Sequence, residues 1–107
     1  MKTFFGDDIL LESNSAKTLY EHVKDLPIID YHCHLNQAMI KNDSSFSDIG
    51  ELWLAGDHYK WRAMRLAGVD EKYITGDASY KDKFLKYCEI LPNCFNNPLY
   101  FWSHLEL

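Results

Sequence analysis

His32 and His34, one residue apart in the stretch DYHCHL, have the spacing of a metal-chelating pair. On an extended chain, residues two apart point to the same side with roughly 6.6 Å between their backbones, so two imidazoles can converge on one ion with bonds of about 2 Å. The pair also has a plainer reading, as two polar side chains at a strand end with hydrogen-bond partners of their own. Two ligands do not complete a site in either case, because a catalytic zinc takes at least three protein ligands and keeps a further position open. Cys33, between them, faces the other way and is expected to pack.

The stretch GDHYKWRAMR carries a second set. Helical geometry places His58, Arg62 and Arg65 on one stripe, with Tyr59 and Met64 turned toward another. That stripe suits an anion, since the planar guanidinium matches a carboxylate or phosphate and a helix N-terminus near His58 favours negative charge. A solvated basic face is the bland alternative. Lys60, Trp61 and Arg62 also mix base and aromatic as single-strand nucleic-acid binders do, but a net charge of −5 opposes that reading. Tyr59 is a phenol able to donate or accept a proton, although a helical tyrosine is more often an amphipathic core residue. His22 and His104 lack partners at ligand spacing and are assigned to structure.

These residues need elements to hold them, and 107 residues with 47% hydrophobic and 15% aromatic content supply a core for one compact unit. The acidic balance excludes general attraction to nucleic acid or anionic lipid, leaving a small molecule as the expected partner. Three cysteines, Cys33, Cys88 and Cys94, form no framework spacing and suit reduced thiols in the cytoplasm. The opening MKTFFGDDILLESNS is broken by Gly6, Asp7 and Asp8 and does not read as a signal peptide. No stretch approaches the roughly 20 apolar residues that span a bilayer.

Helices dominate the periodicity. NSAKTLYEHVKDL is expected to be one, with Asn14 and Ser15 as capping residues. DSSFSDIGELWLAG reads as a short helix ending at Gly56, and DHYKWRAMRLAG as another, capped by Asp57 and stopped by Gly68. SYKDKFLKYCEIL places Phe84, Leu85, Cys88 and Leu91 on one face and ends at Pro92. Asn97 and Pro98 are a plausible cap and first turn for NPLYFWSHLEL. YITG is a weak extended candidate. PIIDYHCHL differs from all of these: it starts with Pro27, is β-branched at Ile28 and Ile29, and is expected to be a strand of about five residues buried on both faces. A single strand without a partner, and an apolar run to the last residue, point to a piece of something larger.

Taken in order, DDILL, PIIDYHCHL, ELWLAGDHYKWRAMR, YITGDAS and NPLYFWSHLEL resemble the N-terminal part of the uronate (glucuronate) isomerase family of the amidohydrolase superfamily. The histidine pair alone is a weak signal shared by many metal hydrolases; WLAGDHYKWRAMR at this distance behind it is specific. The resemblance implies an α/β fold, the N-terminal part of a (β/α)8 TIM barrel of the metal-dependent hydrolase type. Its first strand would be Pro27 to Tyr31, with residues 36–107 a largely helical elaboration. A whole barrel takes about 250 residues, so the remainder would lie after Leu107.

It further implies aldose to ketose isomerisation of D-glucuronate to D-fructuronate and of D-galacturonate to D-tagaturonate. A divalent metal, zinc by ligand type, would be weakly held by His32 and His34, with turnover depending on it less than in a hydrolase. Tyr59 would be catalytic and His58 a substrate contact. Arg62 or Arg65 would meet the uronate carboxylate or serve structure alone. The intact protein would be a cytoplasmic homo-oligomer, and the 107-residue chain inactive by itself. Phe101 and Ser103 stand where the family pattern has histidine and threonine, and Asn36 where proline is common. Two alternatives remain at this stage: a metal-dependent hydrolase of the same superfamily, and a self-contained helical binding module without catalysis.

Overall fold

The structure, a computed structural model, describes residues 6–107. The reading of the N-terminus as free of a leader rests partly on residues 1–5, which lie outside the described residues. The chain divides into two compact units, Met1–Asn36 and Gln37–Leu107. No helix among the described residues is long and apolar enough to cross a membrane.

In the first unit, α1 spans Asn14–Val23. Its cap is Ser13, one residue before the expected pair, because the Ser13 hydroxyl accepts the Ala16 N–H at 3.0 Å and so satisfies an amide that the helix leaves open. Lys17 Nζ meets Asp8 Oδ2 at 3.0 Å and ties the preceding turn to the helix. Leu19, Tyr20 and Val23 repeat at helical spacing, yet all three stay exposed.

The strand expected over Pro27 to Tyr31 is not formed, and no strand occurs among the described residues. Nor is the segment buried: Ile28 is 93% exposed and Tyr31 97%. A strand exists by pairing its N–H and C=O groups with a neighbour, and no second segment here offers a ladder. The sequence signal for a strand records side-chain type, whereas the element needs a partner.

The second unit is helical: α2 (Gln37–Lys41), α3 (Ile49–Leu54), α4 (His58–Leu66), α5 (Tyr80–Ile90) and α6 (Pro98–Glu106), with 3-10 turns at Glu71–Tyr73 and Leu91–Cys94. The stretch expected to lean toward extended structure, YITG, instead begins inside the first of these turns, at Tyr73, and continues as turn and bend. Helix α2 has no counterpart in the sequence reading. Asp48 caps α3 by accepting the Glu51 N–H at 2.9 Å, while Glu51 reaches back to the Ser47 N–H at 2.7 Å, a reciprocal arrangement that satisfies donors on both sides. Helix α4 ends as its sequence predicts. Gly68 takes φ +78°, and the amides of Gly68 and Val69 return to the carbonyls of Arg65 and Met64 at 3.0 Å each.

The core comprises Trp53, Leu54, Ala63, Met64, Ile74, Tyr87, Ile90 and Leu91. Helices α3 and α5 make its closest contact, since a Cβ on Gly50 would fall 2.2 Å from the Tyr80 carbonyl oxygen. Here the expected face of α5 is met at Leu91, which is in the core, and in part at Phe84, which packs against it, while the centre of the buried face lies toward the preceding residues. Lys83, Tyr87 and Ile90 point inward, Phe84 and Cys88 are half-buried, and Leu85 is exposed. The reason is specific bonding: Tyr87 packs edge-on to Trp53 with ring centroids 6.0 Å apart, and its hydroxyl meets Ser103 Oγ of α6 at 2.6 Å. Lys83 buries its stem and donates Nζ to the Gly76 carbonyl at 2.7 Å. A periodicity count treats Lys83 as polar and turns it outward.

Candidate functional site

The candidate residues fall into two pairs, one in each unit. His32 and His34 lie in the irregular segment after α1, with ring centroids 5.3 Å apart in an edge-on arrangement. The His32 amide donates to Asp30 Oδ1 at 3.1 Å, so an aspartate two residues earlier shapes the backbone leading into the pair. Both histidines are exposed. Cys33 is exposed as well, contrary to the packing role expected of it. Cys88 and Cys94 are half-buried, and burial pushes both thiols above their ordinary range.

Imidazole nitrogens are suitable donors for a divalent metal of the zinc kind, and this spacing allows two of them to share an ion. Among the described residues no group of three His, Cys, Asp or Glu side chains is arranged to hold one. The donor set therefore fits a metal in part: it offers two donors, and among the described residues no third is grouped with them.

The second pair sits on the first turn of α4. His58 and Tyr59 have ring centroids 4.3 Å apart, tilted by 32°. Tyr59 is no core residue. Its side chain is 60% exposed, whereas Met64, expected on a shared stripe with it, is fully buried. Arg62 lies 6.0 Å above the Tyr59 ring, close enough for a cation–π contact.

Asp57 holds this turn in place. Its Oδ1 accepts the amides of Tyr59 at 2.9 Å and Lys60 at 3.1 Å, and its Oδ2 accepts Lys60 Nζ at 2.7 Å. Burial by itself would raise the Asp57 carboxyl; the bonds and charge of Lys60, with the Tyr59 amide, outweigh it and leave the group below its ordinary value. Lys60 is buried, and its ammonium lies 5.1 Å from the centre of the Trp53 ring. On the adjoining side of the helix, the Trp61 indole donates to the Leu54 carbonyl at 2.7 Å and locks α4 to the end of α3.

The arginine stripe divides in two. Arg65 makes a bidentate pair with Glu71, Nε to Oε2 at 2.9 Å and Nη2 to Oε1, and Thr75 also donates to that carboxylate. Arg65 foremost, with Thr75, holds Glu71 down at about 2. A guanidinium so engaged tethers the turn after α4 and is not a ready anion site. Arg62 points elsewhere and helps to line a cleft of about 520 Å³ between α4 and α6, with Tyr59, Leu66, Leu99 and Trp102. Asn97 borders the same cleft while capping α6 through the Leu99 amide at 3.0 Å. His22 and His104 bond to the carbonyls of Thr18 and Tyr100 within their own helices.

Sequence reasoning missed the lysine half of the Asp57 clamp and the Tyr87–Ser103 bond. Spacing of Asp and Lys three apart at a helix start was a usable signal for the first; the second joins residues sixteen positions apart and leaves no local trace.

A sequence model of glucuronate isomerase matches residues 1–107. The uronate isomerases of Lachnoclostridium phytofermentans and Geobacillus stearothermophilus are 57% and 55% identical over the whole of this chain, which covers 23% of each. That of Marinomonas sp. is 52% identical with the same coverage. The crystal structure of a uronate isomerase from Thermotoga maritima superposes with a TM-score of 0.88 at 44% identity, over 99% of this chain and 24% of that one. The chain thus spans about a quarter of the length of the relatives it matches.

Proposed function

The chain belongs to the glucuronate isomerase family, and from that premise we propose that it contributes the N-terminal part of the active site of an aldose–ketose isomerase acting on hexuronates. The match of the family over residues 1–107, including both candidate pairs, carries this reading. The substrates would be D-glucuronate, giving D-fructuronate, and D-galacturonate, giving D-tagaturonate. The missing partners of the Ile28 and Ile29 segment are supplied, on this reading, by further strands of a (β/α)8 barrel. Their near-complete exposure supports it, because apolar β-branched residues are seldom left in water without a neighbour.

The reaction moves a proton from C2 to C1 through an enediol whose oxygens gain charge. Tyr59, solvent-accessible on the first turn of α4, donates a hydrogen bond or a proton to one of those oxygens. His58, stacked beside it, bonds a substrate hydroxyl and limits where the sugar can sit. Arg62 lines the same cleft as Tyr59 and would meet the uronate carboxylate there. His32 and His34 would hold a divalent metal, zinc by ligand type, which when bound polarises substrate oxygens as a Lewis acid. The general base and the remaining ligands come from the part of the enzyme that this chain does not span.

The test joins residues 1–107 to the remainder of the Geobacillus stearothermophilus uronate isomerase and measures glucuronate turnover. We expect activity from the joined protein and none from the 107-residue chain. In the joined protein Tyr59→Phe should lower kcat by about 10²- to 10⁴-fold, the span of a lost acid–base group. A joined, folded protein without turnover, or a Tyr59→Phe variant of unchanged kcat, would refute the reading.

A further inference from the structure

We propose that Asp57 and Lys60 are positioning residues for the isomerisation: together they fix the first turn of α4, and through it the directions of His58 and Tyr59. The inference rests on the reading of Tyr59 as the acid–base group. An ordinary helix cap needs one side-chain oxygen. Asp57 uses Oδ1 for the amides of Tyr59 and Lys60 and keeps Oδ2 for the Lys60 ammonium at 2.7 Å. With both oxygens engaged, the carboxylate has one rotamer that satisfies every bond.

Lysine is rarely fully buried without a partner. Lys60 is 8% exposed, its charge answered by Asp57 on one side and by the Trp53 ring at 5.1 Å on the other. Trp53 belongs to the core, so the clamp connects the turn to the packed interior of the helical unit. Tyr59 needs this. Its ring is 60% exposed at the edge of the α4–α6 cleft, and its ring and cation–π contacts among the described residues are with His58 and Arg62, both on α4. Its direction is therefore inherited from its own backbone, whose amide is bonded to Asp57. The lowered carboxyl of Asp57 keeps the clamp charged throughout the neutral range.

In the joined full-length protein, Asp57→Asn and Lys60→Met should each lower kcat by about tenfold and leave KM within about threefold, since a misdirected group weakens the transition state more than binding. Lys60→Arg, which restores the charge, should recover part of the loss. In a Tyr59→Phe background the same two substitutions should change kcat by less than about twofold, because the group they direct is gone. Equal losses in both backgrounds, or no loss in either, overturn the positioning role while the acid–base reading stands. An unchanged kcat for Tyr59→Phe alone removes both. A second measurement needs no turnover: in the 107-residue chain, Asp57→Ala should speed amide hydrogen exchange at Tyr59 and Lys60 at least about tenfold. Unchanged exchange there refutes the clamp itself.

Discussion

Tyr87 and Ser103 show how much one polar contact decides in a small core. Both side chains are almost fully buried, and their oxygens lie 2.6 Å apart. Burial raises the Tyr87 phenol against the opposing pull of the Ser103 bond, so the hydroxyl stays protonated across the neutral range. Tyr87→Phe keeps the ring against Trp53 but strands the Ser103 hydroxyl. We expect a loss of about 1–2 kcal/mol, read as a lower urea midpoint with an unchanged m value. Adding Ser103→Ala should return part of it, because removing both partners costs less than orphaning one. Ser103 stands out in the sequence only as a departure from the family's threonine, and nothing local ties it to Tyr87, sixteen residues earlier. Asp57, by contrast, was legible as a cap from its place before an amphipathic run, and the lysine three residues on was a usable local signal for its second contact, although the burial of Lys60 against Trp53 was not.

Among the elements, α4 was the most legible, with Asp57 opening it and Gly68 closing it, and α6 followed its Asn97–Pro98 start. Such signals act within one turn and so survive in any context. The Arg65 pair does not: Glu71 lies beyond Gly68, and only the sharp turn there brings it back to the helix. This tether gives a pH prediction. The Arg65 and Thr75 bonds lower the Glu71 carboxyl in the folded chain from its ordinary 4.5 to about 2, so its contribution is present above about 4.5 and is lost as pH falls from there toward 2. Melting temperatures of the Glu71→Gln variant and the parent should accordingly differ at pH 6 and converge near pH 2. A constant gap across that range would assign the effect to packing instead. Added salt should also narrow the gap at pH 6, because the pair is exposed.

At the scale of the whole molecule, the helical unit Gln37–Leu107 rests on a small core in which Met64 is completely buried. Truncating Met64 to alanine removes about 2–5 kcal/mol. A unit of this size rarely holds more than about 3–5 kcal/mol, so Met64→Ala should leave a substantial unfolded fraction at 25 °C, visible as reduced helical circular dichroism. The first unit presents the opposite case, with an apolar α1 face and the Ile28–Ile29 segment both exposed. Sequence alone determined what depends on neighbours along the chain: the helix boundaries of α4, the start of α6, the spacing of the paired histidines, and the family through its ordered motifs. Tertiary structure decided which side of α5 faces inward, that Arg65 is committed to Glu71 while Arg62 opens on a cleft, and that Lys60 clamps the turn bearing Tyr59. It also decided that the segment Pro27–Tyr31 forms no strand here. Caps and periodicity are satisfied within a few residues, whereas strand ladders, buried ion pairs and helix faces take their energy from groups that only folding brings within reach.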